Sequence, residues 1–164
     1  MIRRSLFVAL VLMVAVQPMV WADDGDSDAG SVPEWAEDGR NELAIFFGAT
    51  DVAGDAGGSL GLDYEYRFAK LFGLGATLEW TAADLREWLA AVSFNFHVWK
   101  ELKVIAAPGV EIETEDGSDS FVVRFGVEYG FDIGKKWEAA PSVNFDFTDE
   151  DTAIVIGVGF GRHF

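Results

Sequence analysis

From Glu42 to Phe164, apolar and polar side chains alternate almost one by one, and this period of two constrains the fold more than any other feature of the chain. In SLGLDYEYRF, residues 59–68, Leu60, Leu62, Tyr64, Tyr66 and Phe68 share one face. Ser59, Gly61, Asp63, Glu65 and Arg67 share the other. In FVVRFGVEYGFDI, residues 121–133, Phe121, Val123, Phe125, Val127, Tyr129, Phe131 and Ile133 oppose Val122, Arg124, Gly126, Glu128, Gly130 and Asp132. The template predicts strands over 43–50, 59–67, 71–80, 86–98, 102–113, 120–133, 137–148 and 152–164. Connections alternate as well: FAK, WKE and GK fall at one end, and DVAGDAGG, TAAD, TEDGSD and DED at the other. Each strand can therefore pair antiparallel with the next, and an even count closes the sheet. The predicted fold is all-β, an eight-stranded antiparallel up-and-down transmembrane β-barrel over residues 42–164.

The two faces set the environment. One is dominated by Phe, Tyr, Trp, Leu, Ile and Val. The other carries Gly73, Gly75, Gly109, Gly126, Gly130, Gly157, Gly159 and Gly161 among Ser, Asn and charged residues. An eight-stranded barrel is only just wide enough for side chains to fill, so the small residues belong inside and the large apolar ones outside, against lipid. Outward Trp88 and Val98 lie ten residues apart, which at ~3.3 Å per residue and a tilt near 40° spans about 25 Å of the membrane normal, the height of an outer-membrane apolar band. Trp80 and Trp88 then mark one border, and Phe68, Phe131, Trp137 and Trp99 the other, as aromatic girdles. Pro108 and Pro141 fall outward and mid-strand, where a closed ladder needs N–H donors and proline is unexpected; a bulge is the one account the sequence offers.

Ahead of the alternation, residues 1–22 combine Arg3 and Arg4 with an apolar run from Leu6 to Val16 and with Val20 and Ala22 before a cut, the parts of a cleaved secretory signal peptide. That run is shorter than the ~20 residues of a spanning helix. Residues 23–41 form an acidic lead-in with too little apolar surface to fold, expected to be disordered. Asp24, Asp26 and Asp28 have calcium-loop spacing, but Ala29 replaces the turn glycine and Trp35 the bidentate glutamate. The chain carries a net charge of -16, or -18 without residues 1–22, which argues against nucleic-acid partners. There is no cysteine, hence no disulfide, thiolate metal site or cysteine nucleophile.

Candidate chemistry is concentrated on the inward face. Asp63, Glu65, Glu79, Glu111, Glu113, Glu128, Asp132, Glu138 and Asp146 face Arg67, Lys103 and Arg124. Nine acids outnumber three bases, so the surplus needs water, cations or protons. A lumen charge network of Arg67, Arg124, Lys103, Asp63, Glu65, Glu111 and Glu128 is expected, with Arg124 opposite Glu111 across the TEDGSD hairpin. An acyl hydrolase would need serine, histidine and acid together, yet Ser93 and His97 are about 13 Å apart along one strand and His163 lies at another strand end. DED at 149–151 reads as a solvated turn, and the GVGFG glycines, with no helix after them, as inward small residues. Neither a catalytic site nor a cofactor is predicted.

With these residues in place, the chain resembles the small eight-stranded outer-membrane barrels of Gram-negative bacteria, of the OmpA and OmpX type. The resemblance rests on architecture and on the ending, where Phe164 follows Ile154, Ile156, Val158 and Phe160 at alternate positions and only Arg162 departs from the apolar pattern. It implies that Phe164, Phe160, Val158 and Ile156 form the signal read by the barrel-assembly machinery. It further implies an outer-membrane location among lipid and lipopolysaccharide, with chain ends and short turns in the periplasm. The functional expectation is a monomeric, non-enzymatic barrel with a structural or envelope-maintenance role. A narrow, cation-preferring pore is the alternative, and a soluble periplasmic ligand-binding barrel a third.

Overall fold

The structure is a computed structural model that describes residues 39–82, 85–99, 101–114 and 117–164. The predicted signal peptide and all but the last three residues of the acidic lead-in lie outside the described residues. The strands are β1 (Asn41–Val52), β2 (Asp55–Arg67), β3 (Phe72–Thr81), β4 (Glu87–His97), β5 (Leu102–Glu113), β6 (Asp119–Tyr129), β7 (Phe131–Asp132), β8 (Trp137–Phe147) and β9 (Thr152–His163). Every neighbouring pair is antiparallel, and β9 returns to β1, so the sheet closes without a free edge. β7 is the tip of β6 beyond Gly130 and pairs with the same strand, β8, in the same register. The wall is therefore eight strands around, as the alternation predicts.

Pairing fixes the shape. Starting at Asn41, successive partners run through Tyr66, Leu74, Phe94, Ala106, Phe125, Phe145 and Ile154 and return to the first strand at Asp51, ten residues further on. A shear of that size over eight strands tilts each by about 40°. At the tightest hairpin, Ala53 (φ 54°) and Gly54 (φ 102°) both adopt left-handed backbone, the two-residue turn whose twist matches antiparallel strands.

The prolines do not make the bulges that the sequence reading offers. Around Pro108 the β4–β5 ladder is interrupted between the pairs Ala91–Gly109 and Phe94–Ala106, yet the register on the two sides is identical. Pro108 keeps its pairing with Val123 on the opposite flank. Pro141 likewise stays in register with Val158 of β9 while the ladder to β6 breaks between Glu128–Ser142 and Phe131–Ala139. A strand residue directs its N–H to one neighbour only, so each proline deletes a donor from one ladder and leaves the other intact. The missing donor at Pro141 is what separates β7 from β6.

The alternation resolves into an apolar exterior and a filled interior. Phe125 is 50 % exposed while Val122 and Val155 are fully buried. The interior is less uniformly small and polar than the sequence suggests, because Phe46, Leu89, Ala91, Val122 and Val155 all point inward and are buried. Phe46 fits because Gly48 and Gly157 flank its ring, and a Cβ at either would overlap the ring atoms. Leu89, Val122 and Val155 occupy the loop-side parts of β4, β6 and β9.

Candidate functional site in the barrel lumen

Among the described residues, Arg124 and Lys103 anchor two separate charged clusters in the lumen rather than one network. Mid-lumen, Arg124 of β6 lies beside its cross-strand partner Asp146 of β8. Its Nε donates to Asp146 Oδ1 and its Nη2 to Asp146 Oδ2, both at 2.7 Å. Nη1 donates to Glu79 Oε2 of β3, also at 2.7 Å, so the guanidinium reaches across the lumen. All three side chains are at most 6 % exposed. The expected Arg124–Glu111 pair does not form. Register places Glu111 opposite Ser120 and Arg124 opposite Ala107, and Glu111 meets the carboxyl of Glu87 instead.

Toward the chain-end mouth, Lys103 holds Glu128 at 2.6 Å and Glu65 at 3.2 Å, with Glu42 at 3.9 Å. The other oxygen of Glu65 lies 2.5 Å from His97 Nε2. That contact, not one with Ser93, is the bond found at His97. Of the expected network, Lys103, Glu65 and Glu128 meet here. Asp63 is held apart by Thr77, whose hydroxyl donates at 2.6 Å. Arg67 is at the mouth and donates Nη2 to the Lys70 carbonyl at 2.5 Å. Glu42 and Glu87 belong to the lumen and were missed by the sequence reading. One further step of the alternation, from Ala44 back to Glu42 or from Leu89 back to Glu87, would have placed both inside.

A cavity of about 50 Å³ lies between the clusters, lined by residues that include Asp63, Ser93, Lys103 and Arg124. Its lining mixes apolar groups such as Phe46 and Ile105 with polar ones, and two of the residues around it, Asn95 and Asn144, each keep a buried Oδ1 without a protein donor. A few water molecules fit such a space. Below it opens a vestibule of about 390 Å³, lined among others by Arg40, Arg67, Lys70, Lys135, Lys136 and His163. Glu42 and Glu65 line both spaces.

On the outside, the predicted girdle residues occupy the strand ends. Trp80 and Trp88 are register partners at the loop side. Trp99 and Trp137 are exposed at the chain-end side, where Phe68, Phe72 and Phe96 form a row of ring contacts. Ile156, Phe160 and Phe164 lie on the same exposed face of β9 and beyond its end. Arg162, the polar departure from that pattern, lays its guanidinium 5.7 Å from the centre of the Trp137 ring, where the ring's π face offsets its charge. Phe164 is tied to the start of the barrel: its N–H donates to Asn41 O at 2.9 Å, and its carbonyl accepts from Asn41 N at 3.1 Å and Nδ2 at 3.2 Å.

No protein-family model matches the sequence, and a comparison with curated proteins finds no match. Solved structures do share the fold. The N-terminal β-barrel domain of Pseudomonas aeruginosa OprF aligns with a TM-score of 0.58 at 13 % identity, over 76 % of this chain and 98 % of that one. Neisserial surface protein A aligns at 0.53 and 9 % identity, over 76 % and 96 %. A de novo designed transmembrane β-barrel aligns at 0.51 and 14 % identity, over 73 % and 94 %. The chain has the fold of the small eight-stranded outer-membrane barrels. Since a designed barrel shares that shape, the shape alone carries no activity.

Proposed function

We propose that the chain is a monomeric outer-membrane barrel that acts as a closed structural element of the envelope, without catalysis and without an open pore. One observation carries this reading: the lumen is crossed at mid-height by the Arg124 bridge to Glu79 and Asp146, and the cavity next to it measures only about 50 Å³. Support for the membrane setting comes from the exterior, where Leu43, Ile45, Phe47, Phe125, Val127 and Ile156 are exposed in the strands. An apolar surface that encircles a protein suits lipid, and a soluble ligand-binding barrel would need polar groups there. Lipid and lipopolysaccharide are then its surroundings, and the Phe164 ending its proposed signal to the assembly machinery during insertion.

A cation-preferring pore draws support from the excess of lumen carboxylates, but ions would have to pass the Arg124 bridge. Planar-bilayer recording separates the two. Protein shown by heat modifiability to be folded should give no current steps. A steady, cation-selective conductance from the parent chain would overturn the closed reading in favour of the pore.

A further inference from the structure

At the chain-end mouth, Glu42, Glu138 and His163 each bring one ligand atom to within 4.8 Å of the others. They come from three consecutive strands around the closure: Glu42 of β1 is the direct register partner of His163 of β9, and Glu138 of β8 pairs with Gly161, two residues before it. Glycine leaves room for both carboxylates where they stand. A Cβ on Gly161 would collide with the Glu42 carboxylate, and one on Gly130 with that of Glu138.

The vestibule as a whole carries both signs, with Arg40, Arg67, Lys70, Lys135 and Lys136 among its lining residues, so the case for a cation rests on the surroundings of Glu42. Lys103 sits closest to Glu128 and Glu65, and His97 is engaged by Glu65. Among the described residues Glu42 has only Lys103 within ion-pair distance, at 3.9 Å, and its side chain is only 12 % exposed. A carboxylate so nearly buried and so poorly matched is costly unless another positive group completes its surroundings.

We propose that Glu42, Glu138 and His163 form a site for a divalent transition-metal ion, with zinc as the type case. One imidazole nitrogen and two carboxylate oxygens are a donor set that zinc accepts at roughly 2.0–2.2 Å, with a fourth position for water. The vestibule of about 390 Å³, which Glu42, Glu138 and His163 all line, supplies both that water and a path of entry. Magnesium and calcium suit the set less well, since both prefer oxygen ligands alone and more of them. In a tetrahedral site the ligand atoms stand about 3.4 Å apart, so rotamer adjustments of about an ångström close the site. The ion would bridge β8, β9 and β1, the strands that complete the barrel. This proposal is independent of which envelope role the barrel serves.

The test is zinc titration of the folded, untagged chain in detergent micelles after chelator treatment, by calorimetry and by melting temperature, with cobalt absorption as a spectroscopic check. One equivalent should bind, raise the melting temperature, and give the intense visible bands of four-coordinate cobalt. Glu138→Gln, Glu42→Gln and His163→Asn should each weaken binding at least about tenfold, while His97→Asn should leave it within about twofold. Should His163→Asn fail to fold, the two glutamine variants carry the test. Absence of saturable binding in the parent, or equal affinity in folded Glu138→Gln and Glu42→Gln, would overturn the assignment. So would loss of binding in His97→Asn as large as in the glutamine variants.

Discussion

Replacing Arg124 with alanine removes three charge-assisted hydrogen bonds of 2.7 Å and leaves Glu79 and Asp146 facing each other inside the lumen. At ~1.5–3 kcal/mol per charged bond the gross loss reaches about 5–9 kcal/mol. The net effect is smaller, because water from the adjacent cavity can enter the vacated space. Breaking a buried ion pair by deleting one partner typically costs ~3–5 kcal/mol, and that range is expected here. It corresponds to a shift of about two to four orders of magnitude in the unfolding equilibrium. Urea unfolding in lipid vesicles, followed by tryptophan fluorescence, reads it directly. The cause is separable: adding Glu79→Gln and Asp146→Asn to the alanine variant removes the stranded charges and should recover more than half of the lost stability. An Arg124→Ala chain within about 0.5 kcal/mol of the parent would refute the reasoning, since the guanidinium would then be solvated rather than structural.

Further substitutions probe the other surfaces. Phe125→Arg on the exterior should cost about 2–4 kcal/mol in lipid while Phe125→Leu stays near the parent, as measured by the same unfolding assay. Gly157→Ala forces a methyl group against the Phe46 ring and the Phe47 carbonyl and should cost roughly 1–3 kcal/mol, partly relieved by Phe46→Leu in the double variant. Pro141→Ala returns a ladder donor worth ~0.5–1.5 kcal/mol but releases unfolded-state freedom worth ~0.4–1 kcal/mol, so stability should change little. Its signature is a newly protected amide at position 141 in hydrogen exchange; an amide there that exchanges at the unprotected rate would show that proline is not what splits β7 from β6.

Faces, strand number and closure were legible because they depend on local alternation, and a period of two leaves each residue one of two sides. Lumen partners depend on register, which no single strand encodes. Arg124 could be placed inside from its neighbours Val123 and Phe125, yet its partner Glu79 lies 45 residues away on the far wall. Asp146 became its neighbour through the pairing of β6 with β8. Glu111 was the nearer choice along the hairpin, and the observed register moves it to Ser120. The prolines show the same division. Their outward position could be read directly, whereas the ladder each one interrupts is set by which neighbour its missing N–H would have faced. Glu42 was overlooked for a different reason: it opens the barrel directly after an acidic segment whose composition masks the first step of the alternation.

The central claim is a closed barrel whose exterior meets lipid, and cysteine accessibility in vesicles tests it most directly, because the chain has no cysteine of its own. Single cysteines at inward Val122 and Ser142 and at outward Val123 and Phe125 would be challenged with a small, water-soluble thiol reagent. The account predicts that neither set reacts until the protein is unfolded: the inward thiols are buried in a closed lumen too small to admit the reagent and the outward ones lie in hydrocarbon. Rapid reaction at 122 and 142 alone would mean a water-filled pore, and rapid reaction at 123 and 125 a soluble barrel; either result would contradict the account.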